Sequence, residues 1–92
     1  MSQDKYLDGL LDQRVVVDVS SQYVVLGEFT GYNEHFLELK NADIHDLRDT
    51  ETTRENYVAA SALTGIKRNR KKIYLARHEM VAIGALADVV DE

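Results

Sequence analysis

Between Arg14 and Leu39 apolar and polar side chains alternate with a period of two, the spacing of strands that bury one face. Over residues 14–20, Val15, Val17 and Val19 share one face and Arg14, Val16 and Asp18 the other. The run of β-branched residues reinforces the strand. Ser20-Ser21-Gln22 makes a polar turn, and a second strand runs from Tyr23 to about Tyr32. It carries Tyr23, Val25 and Phe29 on one side, with Gly27 and Gly31 in the same row. Two glycines on one face of a strand predict a bend and a close approach of another backbone. A third strand is expected over 35–39, with Leu37 and Leu39 inward and Glu38 and Lys40 outward, continuing bent through Ala42 and Ile44. Two more strands follow over 72–77 and 81–86, joined tightly at His78-Glu79.

Helical spacing is found at the start. Tyr6, Leu7, Leu10 and Leu11 gather on one face of a short helix over 4–11, capped by Ser2 or Asp4. The stretch 46–66 admits two readings. Thr52-Thr53-Arg54-Glu55 has the form of a capping box, and Ala59 to Leu63 suits a helix closed by Gly65. The competing reading is a strand over 56–61 with Tyr57, Ala59 and Ser61 alternating. The strand is preferred because the neighbouring elements are β.

Composition narrows the class. Ninety-two residues make one domain, 1–92, whose modest core would gain from oligomerisation. With no cysteine there is neither a disulfide framework nor a thiolate metal site. His35, His45 and His78 show no metal-ligand spacing, and no apolar run reaches membrane-helix length. Met1-Ser2-Gln3-Asp4 has neither the basic start nor the apolar stretch of a secretory signal, so a cytoplasmic location is expected. The net charge is −5, yet Lys67, Arg68, Arg70, Lys71 and Lys72 crowd one window. Without them, six basic residues face sixteen acidic ones. The chain is an acidic body with one basic strip, which reads equally as a solvated loop or a phosphate-contacting site.

The order helix, strand, glycine-interrupted strand, strand, variable segment and short hairpin resembles the Sm-like (LSm) family. Gly27-Glu-Phe29-Thr-Gly31-Tyr32-Asn33 is similar to its first motif, Gly-x-Leu-x-Gly-aromatic-Asp. Residues 76–83, Ala-Arg-His-Glu-Met-Val-Ala-Ile, resemble the second, usually Ile-Arg-Gly-x-x-Val-x-x-Ile. The likeness spans the chain except about residues 46–70, where the family also varies. It points to a divergent member of prokaryotic or phage type.

The resemblance implies an all-β, five-stranded, strongly bent antiparallel SH3-like barrel with an N-terminal helix. It also implies a homo-oligomeric ring of five to seven copies, closed by pairing the fourth strand of one copy with the fifth of the next. The function implied is binding of single-stranded RNA at the pore, as a chaperone or scaffold without bond chemistry and without a cofactor. The contact residues would be Arg77, His35, Asn33, His78 and Phe36, with the strip Lys67, Arg68, Arg70, Lys71 and Lys72 as a candidate phosphate track.

Three of the implied contact positions depart from the motifs. Asn33 stands where the family has an acid, and His78 where the second motif has glycine. An ungapped match puts Phe36 at the base-stacking position and Leu37 at the base-reading Asn, but drives Glu38 and Lys40 into the core. Dropping one residue puts His35 at the stacking position and Phe36 at the Asn, and returns Leu37 and Leu39 to the interior. Either way the base-reading Asn is missing. The alternative function is therefore an oligomeric scaffold that binds protein partners and no nucleic acid.

Overall fold

The computed structural model describes residues 4–48 and 52–90; the Ser2 cap, the end of the acidic tail and part of the variable segment lie outside them. Five antiparallel strands form one bent sheet: β1 (Arg14–Val19), β2 (Tyr23–Tyr32), β3 (Phe36–Asp46), β4 (Arg70–Ala76) and β5 (Met80–Ala85). The spatial order is β4-β3-β2-β1-β5, so β4 and β5 are the two edges. The expected all-β framework and its strand order along the chain are borne out.

The inner face follows the alternation. Val15, Val17, Val25, Phe29, Leu37 and Leu39 form one buried cluster, joined by Leu7 from the helix α1 (Lys5–Asp8). Leu37 and Leu39 are wholly enclosed while Phe36 remains 44% exposed, which is the gapped register. The bend is made at Gly27, where a Cβ would lie 3.1 Å from the Ala42 Cβ and 3.3 Å from the Leu39 Cβ. The predicted close approach at Gly31 is not found, because its nearest neighbour would be 3.9 Å away. Gly31 instead borders a register shift between β2 and β3, one of two along that pair. In β3 the slack is taken up by Asn41, at φ 49°.

The helix α1 is shorter than expected. Asp4 caps it, its Oδ1 accepting from the backbone N–H of Tyr6 and Leu7. The following turns bring Leu10 and Leu11 against the core. A single helical turn cannot carry four apolar residues on one face, and Tyr6 is left 78% exposed beside the Lys5 ammonium.

The strand preferred over 56–61 is a helix, α2 (Arg54–Thr64). The Thr53 hydroxyl caps it by accepting from the Asn56 N–H, one residue beyond the predicted cap, and Gly65 ends it at φ 97°. The physical reason lies in β2, where Val24, Val25 and Leu26 are all buried. Three consecutive apolar residues in a strand project to both faces, so the outer face also needs a cover. Val58 from α2, with Leu86 just after β5, supplies it over Val24 and Leu26.

Polar groups are trapped beneath this cover. The rings of His45 and Tyr57 stack with centroids 3.8 Å apart at 9°. Neither His45 Nε2 nor the Tyr57 hydroxyl finds a hydrogen-bond partner among the described residues, and both are buried. Asp43 is buried in the adjoining part of β3, and burial raises its carboxyl above the usual range. An orphaned hydroxyl costs its desolvation with no return. Tyr57→Phe is therefore expected to gain about 1 kcal/mol, or roughly 4–8 °C in Tm for a domain of this size. A melting curve checks it; an unchanged or lower Tm would mean the hydroxyl has a partner.

Candidate nucleic-acid interface

The β2–β3 turn and the β4–β5 turn meet at one end of the sheet. Asn33 builds the first: its Oδ1 accepts from the backbone N–H of both His35 and Phe36, at 2.8 Å each. Its own N–H donates to the Phe36 carbonyl at 2.9 Å. This is the turn role that asparagine takes beside glycine. That oxygen is engaged by the backbone and points no free acceptor at a ligand.

Arg77 ties the two turns together. Its backbone N–H donates to the His35 carbonyl at 2.8 Å, and Nη1 donates to the Asn33 carbonyl at 2.7 Å. Nη2 lies 3.7 Å from the Asp4 carboxylate, and the guanidinium sits 5.8 Å from the Tyr32 ring centre. Tyr32 is held in turn by α1: its hydroxyl donates to Asp8 Oδ1 at 2.6 Å and accepts from the Asp4 N–H at 2.9 Å. The bond to the Asp8 carboxylate raises the Tyr32 hydroxyl above its ordinary pKa. One helical turn, one aromatic ring and two loops thus hold the arginine in place.

Around it lies an open hollow of about 340 Å³ lined by Glu34, His35, Phe36, Ala76, Arg77 and His78. His35 and His78 are exposed, one on each turn. The turn Arg77–Glu79 is a single 3-10 turn without positive φ, so histidine is accommodated where the second motif uses glycine. The structure therefore brings together Asn33, His35, Phe36, Arg77 and His78. It offers cation and aromatic faces suited to stacking on unpaired bases, and Arg77 as the pairing group for a phosphate.

The basic strip stands apart from this hollow. Lys67 and Arg68 precede β4, and Arg70, Lys71 and Lys72 occupy its first half, whereas the hollow lies at its far end. Arg68 donates to Asn41 Oδ1 at 2.6 Å, and Lys72 lies 3.8 Å from Glu38. The Thr30 hydroxyl donates to Glu38 at 2.6 Å and keeps that carboxyl below its ordinary pKa.

Asp4 is the member that sequence reading took for a helix cap alone. It caps α1 through one oxygen and faces Arg77 through the other. No local pattern signals the second contact, since the two residues meet only when the sheet is folded. Asn caps as well as Asp, so Asp4→Asn should leave α1 intact while removing the carboxylate charge that faces the guanidinium. The pair is partly exposed, worth about 0.5–1 kcal/mol, so an anion offered to Arg77, with an oligonucleotide as the probe, should gain about two- to fivefold in affinity. Fluorescence anisotropy reads this; weaker binding would assign the carboxylate a positioning role.

Among the described residues no three His, Asp or Glu side chains come together as a metal site, and no helix is long and apolar enough to cross a membrane. No family model and no curated protein matches the chain. Solved structures do. An Sm protein from Pyrococcus abyssii, in complex with a uridine heptamer, superposes with a TM-score of 0.61 at 18% identity, over 88% of this chain and 93% of that one. A heptameric archaeal Sm protein gives 0.60 at 13% identity, over 89% and 97%. An Sm-like protein from Archaeoglobus fulgidus gives 0.57 at 16%, over 92% and 96%. Similarity over nearly the full length of both chains, with the helix and five strands in the same order, means that this chain has the Sm fold.

Proposed function

We propose that the chain forms a ring of five to seven identical copies and binds single-stranded RNA at the hollow between the β2–β3 and β4–β5 turns. The observation that carries this reading is Arg77. It is fixed by both turns beside two exposed histidines, at the end of the sheet where the segments resembling the two motifs converge. Binding would consist of stacking on His35, His78 and Phe36 with charge pairing at Arg77, and no bond is made or broken. The Pyrococcus abyssii protein, with its uridine heptamer, supports the ligand class. The strip at residues 67–72 would add phosphate contacts outside the hollow.

Ring closure follows from the open edges. Both β4 and β5 end the sheet, and a strand edge in solution is a template for another strand. Pairing β4 of one copy with β5 of the next is a head-to-tail contact, which closes when the rotation permits. The inward ladder is bonded at Arg77, so the N–H of Ala76 points to the open side. Ala76 sits at φ −65°, which proline adopts without strain. Ala76→Pro is expected to leave the fold intact and to remove one hydrogen bond per interface, about 0.5–1.5 kcal/mol each. Light scattering should then show a lower mass than the wild type at equal concentration; an unchanged ring would place the interface elsewhere.

The decisive test is titration of oligouridine into the ring at increasing salt. Binding that weakens steeply with salt is expected. An intact ring that binds nothing at low salt would favour the second reading, a protein-binding scaffold. One observation supports that reading: the Asn33 acceptor is closed off by its own turn.

A further inference from the structure

Phe36 is a wall of two hollows. Besides the one at Arg77, it borders a second of about 280 Å³ on the outer face of the sheet, together with Gly31, Asn33, Glu38 and Tyr74. Phe36 and Tyr74 are 44% and 62% exposed. Their register places them on one face: Phe36 opposes Ala76, Glu38 opposes Tyr74, and Lys40 opposes Lys72. Directly opposed residues of an antiparallel pair project to the same side. Aromatic rings at one end of this face are therefore followed by Lys40 and Lys72.

We infer that the outer face of β3 and β4 is a second stacking platform, which carries single-stranded RNA out of the Arg77 hollow, over Phe36 and Tyr74, to Lys40 and Lys72. This rests on the RNA reading and gives the bound strand a direction.

Two features favour a polynucleotide over an apolar peptide. The rings stand separately with polar groups between them, so they offer faces for stacking and no continuous apolar groove. The remainder of the chain is strongly acidic, and the basic strip that offsets it joins this face through Lys72, where a phosphate backbone finds cations. Glu28 and Glu38 are also on it. Glu38 is answered by Lys72 and by the Thr30 hydroxyl, and Glu28 accepts from the Asn41 amide at 3.1 Å. They moderate the attraction, whose salt dependence comes from Lys40 and Lys72. Pairing at the β4 edge would use main-chain groups and leave this face open.

The test compares uridine monophosphate, a single nucleotide for the Arg77 hollow, with a uridine dodecanucleotide by fluorescence anisotropy, each variant being checked for ring mass by light scattering. Tyr74→Ala should weaken the longer ligand about five- to a hundredfold and leave the shorter unchanged. Tyr74→Phe should bind both as the wild type does. Lys40→Gln with Lys72→Gln should lower the salt slope for the longer ligand by about 1.4. Arg77→Ala should weaken both lengths. Full affinity of Tyr74→Ala for the longer ligand overturns the platform and leaves the hollow standing, and so does an equal loss at both lengths. If Arg77→Ala is silent while the Tyr74 and lysine variants lose affinity, the platform stands and the hollow falls. A wild-type ring that binds neither ligand overturns both and leaves the face to a protein partner.

Discussion

Replacing Phe29 by alanine is expected to destabilise the domain by about 3–5 kcal/mol, the range for emptying an enclosed aromatic site. Phe29 is wholly buried at the centre of the inner cluster, with Val15, Val17, Leu37 and Leu39 around it. Its ring also stacks on Tyr32 at 6.1 Å, and Tyr32 holds Asp4 and Asp8 of α1. The cavity would therefore loosen the anchor of α1 as well as the sheet. A chain of this length is stable by roughly 5–14 kcal/mol, so the loss takes a large share of the whole. Urea unfolding at fixed protein concentration is the measurement, because assembly makes apparent stability depend on concentration. A loss below about 1 kcal/mol would show that the site collapses around the smaller residue.

Arg77→Ala is expected to weaken RNA binding about 10- to 100-fold, as hydrogen bonds to a charged group contribute about 1.5–3 kcal/mol. Part of any loss could come from the turns, since Nη1 also holds the Asn33 carbonyl. Arg77→Lys separates the two contributions: it keeps the charge and gives up the planar fork that reaches two partners at once. Intermediate affinity is expected for lysine. Equal affinity of alanine and wild type, with the ring intact, would remove Arg77 from the interface.

The strand framework was legible because alternation is a local property. Val15-Val17-Val19 and Leu37-Leu39 announce their buried faces in the sequence, and the fold buries those faces. Glycine was legible in part. Gly27 marks the tight bend against Ala42, whereas Gly31 borders a bulge with room around it. The misreading of 56–61 came from arguing by neighbourhood. Its own cap, Thr53, and its terminator, Gly65, already described a helix. The apolar run at Val24-Val25-Leu26 showed that something had to cover the outer face.

The candidate site divides in the same way. Asn33, His35, Phe36, Arg77 and His78 could be chosen from their places in two short motifs, far apart in sequence. Their roles could not. The side-chain oxygen of Asn33 serves its own turn, and Arg77 is clasped by the Asn33 carbonyl and the Tyr32 ring from one segment and by the Asp4 carboxylate from another. Sequence by itself determined which residues face inward and where the chain turns, because those depend on period and on neighbours a few residues away. The tertiary structure alone decided that Asp4 faces Arg77, and that Phe36, Tyr74 and two lysines share one outer face. Those contacts depend on strand register and on the bend of the sheet, and both are set by packing across the whole core. The bent sheet stated by the sequence is in place, and the strand edges it leaves open are where the next copy is proposed to pair.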